Sequence, residues 1–315
     1  MEFSVSVIIP VYNGENFIEK AIVSILQQTD VFEVIVVVDG CTDDTVNIIK
    51  NLQKKYSNIK TYYHENKINK GRSASRNLGI KKATGNFIAF LDADDFYLPN
   101  RFVSDKKIFN KYINVDGVYN AIGAHYYRES SKSEKDRLKL TTVKEKIYSK
   151  DLFEALLIGK NGHFSIDGLT VKRSVFDRVG FFNENFKVSE DTEIIWRMAL
   201  KCQLVAGLID RPVAMRGVHE ANVFNQEDLY KGYRIKLLES LVFWSSKKKI
   251  PLKQIDLILN GLWILKFKEG EGLIKNIKYW LYLFVNNSRI LFSHLSIKYF
   301  PVVRLRQKLF PFLFP

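Results

Sequence analysis

Two cysteines in 315 residues, Cys41 and Cys202, leave no disulfide framework and no spaced thiol ligands. A reducing compartment is therefore the default, and no zinc site is expected. No uninterrupted apolar stretch is long enough to span a bilayer, because Asn286, Asn287, Ser288 and Arg289 break the best candidate. The amino terminus runs straight into strand-like sequence with no basic region and apolar segment ahead of it, which is the expectation for a cytoplasmic catalytic domain. Recognition motifs for nucleic acid are also missing, so the net charge of +14 does not imply that partner. What is present is ample core material, 46% hydrophobic and 13% aromatic residues, enough for one large domain and an appendage. The positive charge is concentrated late. Lys231 to Pro315 hold 16 Lys or Arg against 4 acids, which leaves about +2 for the rest.

Apolar runs and amphipathic stretches alternate through the first half. Val5 to Pro10, Glu33 to Val38, Ile59 to Tyr63 and Phe87 to Leu91 read as strands, with Pro10 ending the first because it cannot donate to a ladder. Glu15 to Gln28, Thr42 to Tyr56 and Gly71 to Ala83 read as the helices between them. This rhythm requires a mainly parallel, doubly wound α/β sheet. Further on, Pro99 to Tyr112 is a helix, Val115 to Tyr127 one longer strand, Arg128 to Lys146 a mobile surface loop and Ser149 to Ile158 a helix. Asn161 to Val171 is strand-like, Leu204 to Ile209 and Val213 to Val218 are short strands, and the chain reads as helical from Asn225.

The strand Phe87 to Leu91 ends in Asp92-Ala93-Asp94-Asp95. If strand geometry persists, Asp92 and Asp94 share one side at the carboxyl edge, where open α/β sheets bind ligands. Two converging carboxylates repel unless a cation sits between them, and a hard divalent ion with room for phosphate oxygens, Mg²⁺ or Mn²⁺, suits the pair. The plainer alternative is that these acids cap the following helix.

Five stretches in order resemble the family 2 glycosyltransferases with the GT-A fold: Ser6 to Asn13, Val38 to Thr45, Gly71 with Ala74-Ser75-Arg76-Asn77, Asp92 to Asp95, and Gly180 to Glu184 followed by Glu190-Asp191. The resemblance covers about residues 4 to 223. It implies a nucleotide diphosphate sugar as donor, with Pro10, Tyr12 and Asp39 around base and ribose, and Asp39 accepting the imino hydrogen of a uracil-type base, which suggests uridine although guanine and thymine present such donors too. Asp92 matches the ribose-side acid and Asp94 the metal ligand. Lys70 and Arg76 are placed to approach the diphosphate, although an arginine on a basic helix also fits a solvated face. Asp191 matches the general base, which implies inversion, with helix capping as the alternative for Glu190 and Asp191. His219 resembles a late histidine that approaches the metal or the diphosphate. Cys41 departs from the pattern, standing where the family usually has serine.

The expected division is a catalytic domain over residues 1–223 and a basic, aromatic-rich helical extension over 224–315. Trp280, Tyr282, Phe292, Tyr299, Phe310 and Phe314 lie among cations there. That composition suits an interfacial helix on anionic lipid, hence a peripheral position on the inner face of the membrane, or else packing on the catalytic domain or on a second copy. A saccharide or lipid-linked saccharide is the expected acceptor. Two competing readings are a sugar nucleotidyltransferase, whose amino-terminal glycine-rich phosphate loop is missing, and a non-catalytic nucleotide-sugar binder or membrane scaffold, which has no need of a base.

Overall fold

The computed structural model describes residues 2–222, 227–268, 272–309 and 312, in two compact units, Met1–Asn225 and Gln226–Pro315. The expected helix start at Asn225, and Phe310 and Phe314, lie outside the described residues.

The first unit is built on β1 (Val5–Val11), α1 (Ile18–Leu26), β2 (Val31–Val38), α2 (Thr45–Gln53), β3 (Ile59–Tyr63), α3 (Arg72–Lys82) and β4 (Phe87–Phe90). These are followed by β5 (Phe96–Tyr97), α4 (Val103–Lys111), β6 (Gly117–Tyr119), β7 (Ile122–Tyr126), α5 (Lys132–Leu138) and α6 (Ser149–Ile158). The unit closes with β8 (Leu169–Lys172), α7 (Val175–Val179), α8 (Glu190–Lys201), β9 (Leu204–Ala206) and β10 (Ala214–Val218). The main sheet runs β3-β2-β1-β4-β8-β6-β9, and β8 alone is antiparallel to its neighbours. A second sheet, β5-β10-β7, joins it. This is the mixed, mainly parallel GT-A arrangement that the sequence implies. β1, β2 and β4 are largely apolar and buried because helices cover both faces.

Pro10 lies inside β1 instead of ending it. The Val11 carbonyl accepts from Asp39 N on the β2 side, and the Ile8 carbonyl accepts from Leu91 N on the β4 side. Pro10, two residues after Ile8, faces the β4 side beyond the last paired residue, where no donor is required.

The single strand expected over Val115–Tyr127 is two strands in different sheets. Buried Asn120 breaks it: its Nδ2 donates to Asp105 Oδ1 and the Gly168 carbonyl, and its Oδ1 accepts from Leu208 N. The loop expected over Arg128–Lys146 contains α5, whose Ser131 side chain accepts from Glu134 N while Arg128 pairs with Glu134 at 2.6 Å. The strand expected over Asn161–Val171 is a 3₁₀ turn at Ile166–Gly168 followed by the short β8.

The second unit contains α9 (Glu227–Lys247), α10 (Leu252–Lys268) and α11 (Leu273–Val285), then short helices as far as Leu309. Leu241, Ile255, Ile258, Phe284 and Leu295 are among its buried side chains. The Tyr279 hydroxyl donates to Glu239 Oε1, and Trp280 Nε1 to the Ser296 carbonyl. Among the described residues, no helix is long and apolar enough to cross a membrane.

Candidate active site

The carboxyl ends of β1 and β2 lead into two interlocked turns. Gly40 has φ +78°, and a Cβ there would stand 2.7 Å from Asn69 N, so only glycine fits. Cys41 supplies both contacts that its turn needs, since Asn13 N donates to Sγ at 3.3 Å and Sγ donates to the Val11 carbonyl at 3.4 Å. Burial pushes the Cys41 thiol above its ordinary range, which keeps it protonated and able to donate. Asp39 is buried, and its two oxygens accept from Lys70 N at 2.7 Å and Gly71 N at 2.9 Å. Each carboxylate oxygen has a second lone pair for a base N–H. Pro10 is buried beside this edge, while Tyr12 and the Lys70 side chain are exposed.

Arg76 is not on a solvated face. It is buried on the inner side of α3, with Nη2 2.6 Å from Asp92 Oδ1 and Nη1 2.9 Å from Glu190 Oε1. Burial opposes its charge, but Asp92 and Glu190 outweigh that and hold it protonated. Arg72 Nε adds a second cation 2.6 Å from Glu190 Oε1. Next along α3, Asn77 donates to the Phe182 carbonyl and Glu184 Oε1 and accepts from Phe182 N. The Ala74-Ser75-Arg76-Asn77 stretch is therefore a clamp on the segment that leads into α8.

Asp191 sits half-buried in the first turn of α8, after Ser189 in the left-handed region at φ 63°. Its Oδ1 accepts from Thr192 N at 2.7 Å. Both Arg76 and Arg216 lie within reach of its charge, as does His163. Burial, then repulsion from Asp191, raises the carboxyl of neighbouring Glu190, against the pull of Arg76 and Arg72.

The acids after β4 do not continue as a strand, so Asp92 and Asp94 do not share one side as expected. A turn closed by Asp95 N donating to the Asp92 carbonyl disperses them. Asp92 meets Arg76, Asp94 meets His219, and Asp95 turns inward to accept from Gly217 N. Carboxylate oxygens of Asp92, Asp95 and Asp167 come within 4.8 Å of one another. Burial and mutual repulsion push Asp95 well above the usual carboxylate range and Asp167 to about 6, whereas Asp92 is lowered because Arg76 and Arg72 outweigh its burial. Arg216, on β10, faces all four of Asp92, Asp95, Asp167 and Asp191. Sequence reading missed Asp167 and Arg216 as site residues. The available signals were an acid inside the apolar run Phe164–Val171 and an arginine three residues before His219.

Asp94 Oδ2 lies 2.9 Å from His219 Nε2 and 3.2 Å from Asn222 Nδ2. Two adjacent ligands of an octahedral cation, each about 2.1 Å from it, stand about 3 Å apart, so Asp94 and His219 fit a shared divalent ion. The His219 ring is fixed by stacking on Phe17, centroids 4.9 Å apart. Gly217 brings β10 against the acid turn, since a Cβ there would stand 2.2 Å from the Asp94 carbonyl oxygen.

Comparison with known proteins identifies the family and the fold. The family described as Glycosyl transferase family 2 matches residues 6–180. An uncharacterized glycosyltransferase of Rickettsia typhi is 32% identical over 262 residues, covering 82% of this chain and 75% of that protein. A shorter stretch of 98 residues is 51% identical to an uncharacterized glycosyltransferase of Rickettsia bellii, of which it covers only 14%, and 31% of this chain. Among solved structures, residues 1–349 of Staphylococcus aureus TarS in complex with UDP-GlcNAc superpose with a TM-score of 0.64 at 17% identity, over 97% of this chain and 92% of that one. The mannosyltransferase PcManGT of Pyrobaculum calidifontis, in complex with GDP-Man and Mn²⁺, gives 0.51 at 15% identity, over 98% and 87%.

Proposed function

The chain belongs to glycosyl transferase family 2 and is a glycosyltransferase, and from that premise we propose that it moves a sugar from a UDP-sugar to a saccharide or lipid-linked saccharide acceptor, with inversion, in surface polysaccharide or glycolipid assembly. Uridine is favoured because Asp39 keeps acceptor capacity beside exposed Tyr12, and because the TarS fragment binds UDP-GlcNAc. The observation that carries this reading is the ion-pair chain Asp92–Arg76–Glu190, in which Arg76 and Glu190 are buried. It ties the acid at the donor edge of β4 to the helix start that bears Asp191.

In this mechanism Asp191 accepts the proton of the acceptor hydroxyl as its oxygen forms a bond to the anomeric carbon. The bond from that carbon to the nucleotide diphosphate breaks on the opposite face, and the diphosphate departs with the electron pair. Asp94 and His219 would hold Mn²⁺ or Mg²⁺, which neutralises the departing diphosphate when bound. Asp92 takes the ribose side, Asp39 reads the base, and exposed Lys70 approaches the phosphates. Arg76 acts by position, keeping Asp92 ionised and α8 in register. The basic carboxyl-terminal unit fits a peripheral place on an anionic membrane, where a lipid-linked acceptor would be presented.

A thermal-shift screen of nucleotide sugars with Mn²⁺ tests the reading. The correct donor raises the melting temperature by mass action and releases its diphosphate slowly without acceptor. Stabilisation with no release at all would indicate a sensor, and stabilisation by none of the nucleotide sugars would remove the donor assignment.

A further inference from the structure

Helix α11 is amphipathic in the wrong sense for water. Its inward side buries Asn276, Leu283 and Phe284. The opposite side, an arc of about 120° at about 100° per residue, carries Ile274 (72% exposed), Lys278, Leu281 (45%) and Val285 (58%), with Lys275 at its edge and Tyr282 (47%) beside it, one ring edge packed on Phe243 of α9. The helix contains no acid, and the turn that follows leaves Phe292 88% exposed. A helix facing water would place its polar residues there. We propose that this face of α11 is a lipid-contact surface, lying in the plane of an anionic leaflet with Ile274, Leu281, Tyr282 and Val285 in the interfacial layer and Lys275 and Lys278 on the headgroup phosphates. At 13 residues the helix is about 20 Å long, too short to span the hydrocarbon and suited to lying along it.

The inference rests on the membrane-facing reading of the basic unit and adds which side makes contact. Charge selects lipid over a second copy. Residues 226–315 carry 16 Lys or Arg against 6 acids, so apposing two such faces brings like charges together, whereas an anionic surface attracts each cation.

The test is co-sedimentation of the full chain with vesicles of about one-third phosphatidylglycerol in phosphatidylcholine. The chain should bind. Leu281→Glu with Val285→Glu should weaken binding about tenfold or more, and Lys275→Gln with Lys278→Gln roughly tenfold, an effect that fades as salt rises. These positions are exposed, so the melting temperature should be unchanged in both variants. If both variants bind like the parent chain, the surface is assigned wrongly while the membrane reading stands. If the parent chain does not bind, both fail. If instead it is a dimer that Leu281→Glu with Val285→Glu converts to a monomer, the face belongs to a second copy.

Discussion

The two ends of the central sheet both bury carboxylates, and they treat them in opposite ways. At the amino end, Glu33 accepts from Ser6 Oγ and from Thr84 through both N and Oγ1, and pairs with Lys60 at 2.6 Å. Burial alone would raise it, but these partners bring its pKa from 4.5 to about 2. At the carboxyl end, Asp95 and Asp167 are pushed up, because burial there is joined by neighbouring acids and only partly offset by Arg216. A satisfied carboxylate closes a structural joint. A frustrated cluster at the other end suits the charged ligand that the proposed function places there.

Substitutions separate the two ends. Of the changes at these two ends, the largest effect is expected from Asp94→Ala, which leaves His219 without its acid partner and should lower kcat/KM about 10²–10³-fold and abolish the response to Mn²⁺, read by titrating the metal against transfer rate. Glu33→Gln should leave transfer unchanged and cost about 3 kcal/mol of stability at neutral pH. Because the folded Glu33 pKa is depressed, that contribution is present above about pH 4.5 and is lost as pH falls toward 2, so denaturant melts of parent and variant should converge in acid. Asp167→Asn should do the reverse and stabilise by about 1–2 kcal/mol at neutral pH. The raised pKa of Asp167 makes its ionisation a cost, so the parent chain recovers stability as pH falls through about 6 toward 4, and the difference between the two closes there. A destabilised Asp167→Asn at pH 7 would erase the contrast between the two ends.

The parallel half of the fold was legible because buried strands are written as unbroken apolar runs, and these cannot be mistaken for solvent-facing sequence. The break at Asn120 was not, since a single polar residue inside Val115–Tyr127 looks the same whether it faces water or, as here, satisfies three distant groups. The helix α5 could have been read from Ser131 and Glu134, which have capping-box spacing. At the site, the residue types were legible and their company was not. Asp92 and Asp167 are 75 positions apart, and only the turn after β4 decides that Asp94 meets His219 while Asp95 joins Asp92. The inward turn of Arg76 likewise depends on Glu190, which lies 114 positions on.

The proposed mechanism divides the work between Asp94 with His219 on one side and Asp191 on the other. The most direct measurement sets turnover against nucleotide binding in Asp191→Asn, an isosteric change that keeps the contact to Thr192 N. Transfer should fall by about 10²–10⁴-fold while the affinity for UDP in the presence of Mn²⁺ stays within about twofold of the parent chain. Near-parental turnover, or a loss of UDP binding as large as the loss of turnover, would contradict it.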